Sequence, residues 1–101
     1  MNRVRIEAKR AGIVCIESGP VGLYCEFNFE WPKSRQRVRT PMVAAWCVVK
    51  PDASNLVKIV EDALNGIAYT DDAQVVKTYA QKRYVPQGQP AYTLVEVWPL
   101  I

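Results

Sequence analysis

Between Val21 and Trp31 the chain alternates without a break. Val21, Leu23, Cys25, Phe27, Phe29 and Trp31 fall on one side, and Gly22, Tyr24, Glu26, Asn28 and Glu30 on the other. Successive side chains of an extended strand point to opposite faces, so this period of two marks a strand with one face buried and one wet. Ser18-Gly19-Pro20 breaks the chain before it and Pro32 follows it, as expected at strand ends. Whatever else it forms, this chain has to supply a sheet and something to cover one side of it.

Composition narrows the choice. With 101 residues, 50% hydrophobic and 23% charged, the chain reads as a single domain over 1–101 with one core, and intrinsic disorder is excluded. Its net charge of +3 permits an acidic partner without naming one. No apolar run reaches the roughly 18 residues of a membrane-spanning helix. The opening MNRVRIEAKRAG lacks the apolar stretch of a secretory signal. Cys15, Cys25 and Cys47 are odd in number and widely spaced, which argues against a disulfide framework and for a cytoplasmic protein. They read as small buried hydrophobes. Histidine is absent, so Ser-His-Asp and Cys-His mechanisms and His-dependent zinc sites are excluded. The chemistry left to an enzyme of this composition is that of carboxylates, lysine and a hard metal ion.

The remaining elements follow from periodicity. Val4, Ala8 and Ala11 with Gly12 behind them fit a short helix over 3–11, while Val4, Ile6 and Ala8 equally fit a strand. Met42 to Val49 is a continuous apolar run, short enough for a buried strand. Ser54 to Asn65 is an amphipathic helix, with Leu56, Ile59, Val60, Ala63 and Leu64 on one face and Gly66 placed to end it. Gln74–Val85 and Ala91–Trp98 read as strands joined across Pro86-Gln87-Gly88-Gln89-Pro90 in a hairpin. The expected fold is α+β: a mixed or antiparallel sheet covered on one face by one main amphipathic helix, about 54–65.

Two short stretches gather acidic groups at element boundaries: Asp52, between a strand and the helix, and Asp71-Asp72, ahead of the next strand. If the strand after Asp72 pairs beside Met42–Val49, both ends meet and the carboxylates can share a Mg²⁺, which favours oxygen ligands and keeps several waters. Lys58 lies one turn from Ser54 and would face the same point. Simpler roles compete: Asp52 as a helix N-cap, Asp71-Asp72 as a solvated turn, Lys58 as an exposed lysine near Asp62. Cations cluster in Pro32–Pro41 as Lys33, Arg35, Arg37 and Arg39, and again as Lys77, Lys82 and Arg83 interleaved with Tyr79 and Tyr84. Either group could neutralise phosphates.

The stretches Lys50-Pro51-Asp52-Ala53-Ser54-Asn55-Leu56-Val57-Lys58, Asp62-Ala63-Leu64-Asn65-Gly66 and Asp71-Asp72-Ala73-Gln74-Val75-Val76 together resemble the RusA-type Holliday-junction resolvases. Gly19-Pro20-Val21 and Trp31-Pro32-Lys33-Ser34 are similar to that family too, so the resemblance covers about residues 18–98. It implies a homodimeric endodeoxyribonuclease that cuts four-way DNA junctions with Mg²⁺, Mn²⁺ being able to replace it. It implies Asp52 and Asp72 as metal-binding catalytic carboxylates, Lys58 as a catalytic lysine, Asp71 as a further candidate ligand and Asn55 in support. The cations named above, with Lys50, become candidates for contact with branched DNA. The chain departs from the family at Ser54, where a further Asp is usual, so that Ser54 would be a weak or water-mediated ligand. The resemblance also implies an N-terminal strand and basic arm, and this chain is expected to begin after them. A junction-binding module that no longer cuts, and a truncated prophage remnant acting only as an interaction protein, are the alternatives. A carboxylate at position 54 restores a charged ligand, so Ser54→Asp is expected to raise both Mg²⁺ affinity and cleavage of a synthetic four-way junction. A side-by-side Mg²⁺ titration of the two proteins checks it.

Overall fold

A computed structural model of the protein describes residues 15–101; the segment expected at 3–11 lies outside them. Four strands and one helix follow in the order β1 (Val21–Phe29), β2 (Ala45–Trp46), α1 (Ala53–Leu64), β3 (Val75–Tyr84) and β4 (Tyr92–Pro99). Short 3₁₀ turns at Lys33–Arg35 and Asp72–Gln74 stand between them. The four strands form one sheet in the order β2-β3-β1-β4. The α+β class expected from the sequence is the one observed. Among the described residues no helix is long and apolar enough to cross a membrane.

β1 lies inside the sheet because it is the strand with most to bury. Val21, Leu23 and Cys25 have no exposed surface, and with Phe27 they meet Val60, Leu64, Ala68 and Tyr69 in the main core. α1 covers that face with Val60 and Leu64 fully buried and Leu56 and Val57 partly so. Ile59, placed on the apolar face by periodicity, remains 42% exposed. The helix stops at Asn65, and Gly66, at φ +79°, turns the chain back in a left-handed conformation that an L side chain would resist. That reversal delivers Tyr69 into the core, where its hydroxyl donates to the Glu61 carbonyl at 2.8 Å.

Two expectations are corrected. β3 and β4 do not form a hairpin: β1 lies between them, parallel to β3 and antiparallel to β4. A centre position removes both strand edges from water. It goes to the apolar β1, while β3 and β4, with exposed residues along their length, take its flanks. The second correction concerns Met42–Val49. Only Ala45–Trp46 is strand, paired with the last residues of β3 (Ala45 with Tyr84, Trp46 with Arg83), and Val43, Val48 and Val49 are exposed. The run meets only the sheet's outer edge before the chain turns to α1, so its hydrophobicity finds little to pack against. A smaller cluster forms here: Trp31 stacks on Tyr84 at 4.0 Å between ring centroids, with Cys47 buried beside them. Cys25 and Cys47 are buried and Cys15 half-buried, all three as free thiols. Burial, with a smaller contribution from Glu61, pushes the Cys25 thiol up to about 12.

Among the described residues no helix lies over the opposite face of the sheet. That far face carries Tyr24, Glu26 and Asn28 from β1, with their register partners Tyr79, Gln81 and Arg83 from β3 and Glu96, Leu94 and Tyr92 from β4. At one end Gly22 pairs with Trp98, and a Cβ built on Gly22 would overlap the indole ring. Glycine is what lets the ring lie on the strand. Gly22→Ala is therefore expected to lower stability by about 2 kcal/mol through overpacking. Urea unfolding should also show that the same change in a Trp98→Ala background costs almost nothing.

Candidate nucleic-acid and metal site

The 3₁₀ turn before β3 is held by its own side chains. Asp71 accepts from the Ala73 N–H at 2.9 Å, and Gln74 reaches back to accept from the N–H groups of Thr70 and Asp71 at 2.9 Å each. The Gln74 amide nitrogen then donates to the carbonyls of Ile16 and Gly19 at 3.0 and 3.1 Å. This capping box fixes the Asp71-Asp72 pair at the start of β3. Hydrogen bonding with the Asp71 side chain comes first in holding the Asp72 carboxyl above its ordinary value, followed by partial desolvation and the charges of Asp71 and Asp62. Glu61 is raised as well, by burial first and then by Asp72 and Asp62, while Lys58 opposes the shift. The C-terminal end of α1 and the start of β3 thus share one pool of negative charge.

Asp52 stands elsewhere. It precedes α1 at the N-cap position without a side-chain cap bond, and its carboxylate takes the Lys50 ammonium at 3.0 Å in an exposed pair. The expected convergence required the strand before Asp52 to bring its end to the start of β3. β2 instead joins the far end of β3, and α1 then runs back toward Asp72. Twelve residues of helix at about 1.5 Å each put about 18 Å between the two ends of α1. Ser54 and Lys58 lie exposed on the first and second turns, Ser54 on the Asp52 side, and Lys58 close enough to influence Glu61. Among the described residues no three Cys, Asp or Glu side chains converge as a metal cage.

The expected cations divide by face. Lys33 and Arg35 lie on the 3₁₀ turn after β1, with the Arg35 guanidinium 5.7 Å from the centre of the Trp31 ring. Arg37 is fixed through its backbone, whose N–H donates to the Gln87 side chain at 2.9 Å and whose carbonyl accepts from it at 2.7 Å. Arg39 is exposed in the same loop. Lys77 and Arg83 share the far face, over the rings of Tyr79 (5.6 Å) and Trp46 (4.6 Å). Lys82, one residue out of phase, donates instead to the Val49 carbonyl, and Tyr84 is buried. The patch read as one from spacing is thus two, because alternation sends neighbours to opposite sides. Sequence reasoning missed Glu61, Gln74, Gln87 and Trp46 as neighbours of these groups. Nothing local marks them; they matter through what the fold lays beside them.

Comparison with known proteins gives the chain a family. The family profile described as endodeoxyribonuclease RusA matches residues 2–95, and the chain belongs to that family. It is 32% identical over 87 residues to the uncharacterized protein YqaN of Bacillus subtilis (strain 168). That alignment covers 81% of this chain and 61% of YqaN, so the chain spans about three fifths of its relative's length. No solved structure matches.

Nucleases of this family are typically divalent-metal dependent, and the donors here suit such an ion. A hard cation of the Mg²⁺ type needs only one or two protein carboxylates, the rest of its shell being water and phosphate. Asp72 and Asp71 can offer that pair, in a place where neighbouring carboxylates raise the proton affinity of Asp72 and Glu61 and a cation would relieve the repulsion. Millimolar Mg²⁺ is therefore expected to raise the thermal midpoint of the protein, by linkage to the folded state. The rise should disappear in Asp72→Asn; scanning calorimetry with and without the ion measures both.

Proposed function

We propose that the chain is a Mg²⁺-dependent endodeoxyribonuclease that acts on branched DNA as a cytoplasmic homodimer. The observation that carries this reading is the family match across residues 2–95. In it, Asp72 with Asp71 holds the ion, and Asp52, with Ser54 nearby, supplies the second acidic element. When bound, the ion would supply Lewis-acid polarisation of the phosphate and a water acidic enough to attack at neutral pH. Lys58 neutralises charge on the phosphate, and the products are a 5′-phosphate and a 3′-hydroxyl. Lys33, Arg35, Arg37, Arg39, Lys50, Lys77, Lys82 and Arg83 are the cations available for backbone contacts, which read shape more than sequence.

The homodimer has a specific part in this reading. Within one protomer α1 keeps Asp52 and Asp72 at its two ends. Two copies related by a two-fold axis and lying antiparallel would set the Asp52 end of one against the Asp72 end of the other. The exposed Val43, Val48 and Val49 beside β2 give such a pair apolar surface to bury. The second reading, a module that grips junctions without cutting, is favoured by one observation: Ser54, where the family usually has an acid.

Mixing tests the shared site. Asp52→Asn and Asp72→Asn are each expected to abolish cleavage of a four-way junction. In a mixed dimer of the two, one shared site would be fully intact, so co-refolded protein should recover a measurable fraction of wild-type rate. If each site were built within one protomer, both would stay broken and the mixture would remain inactive.

A further inference from the structure

The far face of the sheet has no part in the carboxylate chemistry, yet its composition is selective. Tyr24, Tyr79, Tyr92 and Trp98 lie on it by alternation and register, with Leu94 as its aliphatic member between them. Trp46 of β2 adds a further ring beneath the Arg83 guanidinium at 4.6 Å. Trp46, Tyr79 and Tyr92 are 61%, 57% and 46% exposed. Such a face, with aromatic rings exposed beside cations, suits flat, polar-edged rings that carry negative charge.

The face also has a hollow with a rigid floor. About 350 Å³ lies among Glu26, Asn28, Gln81, Arg83 and Tyr92. Asn28 is 7% exposed, and its amide donates to the Glu26 carboxylate at 3.1 Å. The Tyr24 hydroxyl donates to the other Glu26 oxygen, and the Tyr92 hydroxyl reaches the first at 3.4 Å.

Charge around the hollow suits a polyanion. The acid within it, Glu26, is taken up by the Tyr24, Asn28 and Tyr92 side chains. Glu96 pairs with Tyr24, four strand residues from the Asn28–Arg83 pair and so about 13 Å along the sheet. The loop bearing Lys33, Arg35, Arg37 and Arg39 follows β1 at the hollow's own end of the sheet. It is tied there by Trp31 on Tyr84 and by Arg37 on Gln87.

From this arrangement we infer that the far face is a stacking platform for unpaired, single-stranded DNA. Bases lie on Tyr79, Tyr92 and Trp46 while Lys77, Arg83 and the loop arginines meet the phosphates. The inference rests on the proposed action on branched DNA, and gives the strands freed where arms meet a place to lie. Base–aromatic stacking tolerates any sequence because every base has a π-face.

The test uses the full chain, a fluorescein-labelled single strand of about 12 nucleotides, within the site sizes of such platforms, and a four-way junction whose arms end in closed hairpins. Anisotropy should show the single strand bound. Affinity should fall about tenfold for each of Tyr79→Ala, Tyr92→Ala and Trp46→Ala, and hardly at all for Tyr92→Phe, which keeps the ring. Circular dichroism of each variant confirms the fold, and quenching of tryptophan emission by the strand, smaller in Trp46→Phe than in wild type, reports contact at that ring. A wild-type protein that binds the closed junction but not the single strand overturns the platform while leaving the nuclease reading intact. Ring-dependent binding of the single strand without junction cleavage supports the platform and removes the nuclease reading. If the three alanine variants bind the strand as wild type does, or instead weaken self-association in sedimentation, the face belongs to something other than DNA.

Discussion

Burial of the apolar side of β1 against α1 and Tyr69 is the interaction from which the remaining geometry follows. Val21, Leu23, Cys25 and Phe27 fill that interface, and nothing else in the described chain offers a comparable surface. A strand so placed takes partners on both edges, and the two it takes run in opposite directions relative to it. The parallel partner, β3, can be reached only by a crossover long enough to return the chain to its starting end, and α1 is the one α-helix of that crossover. Its direction then fixes where the motifs lie. The residues before α1 sit toward one end of the sheet and those after it at the other, whatever their spacing in the sequence.

That dependence separates what the sequence discloses from what it hides. β1 is legible because alternation is a local signal, and α1 because its apolar spacing matches a helical face; both bounds fall within a residue or two of the structure. The Pro86–Pro90 connection is legible as a break but not as a crossing over β1, because strand order is decided by competition for the centre. Met42–Val49 misleads for a related reason. A hydrophobic run tells that burial would be favourable, and cannot tell whether the neighbouring edge has room for it. Asp52 and Asp72 are recognisable from motif identity, while the helix length between them becomes visible only with the topology.

The Asp71-Asp72 turn is closed by one of the same acidic side chains that it displays. Asp71 uses one carboxylate oxygen on the Ala73 N–H, which closes the turn and sets the first residues of β3. Gln74 ties the same turn to Ile16 and Gly19, ahead of β1. The acidic groups are thus presented by a short, cross-braced turn. The hydrogen bonds that hold like charges together there also define where the sheet begins.

The segregation of charge along the sheet has one more effect. Lys33, Arg35, Arg37, Arg39 and Arg83 lie toward the end where β1 and β3 finish, and Glu61, Asp62, Asp71 and Asp72 toward the end where they start. The described residues carry nine basic and nine acidic side chains, yet opposite poles separated by the length of a strand make this part of the molecule a dipole. Near a polyanion it experiences a torque as well as an attraction, over distances of order the Debye length, about 8 Å at physiological ionic strength. Encounter complexes formed in that field begin with the cationic pole leading. Orientation is thereby selected before any side chain touches the surface, and added salt would erase that preference.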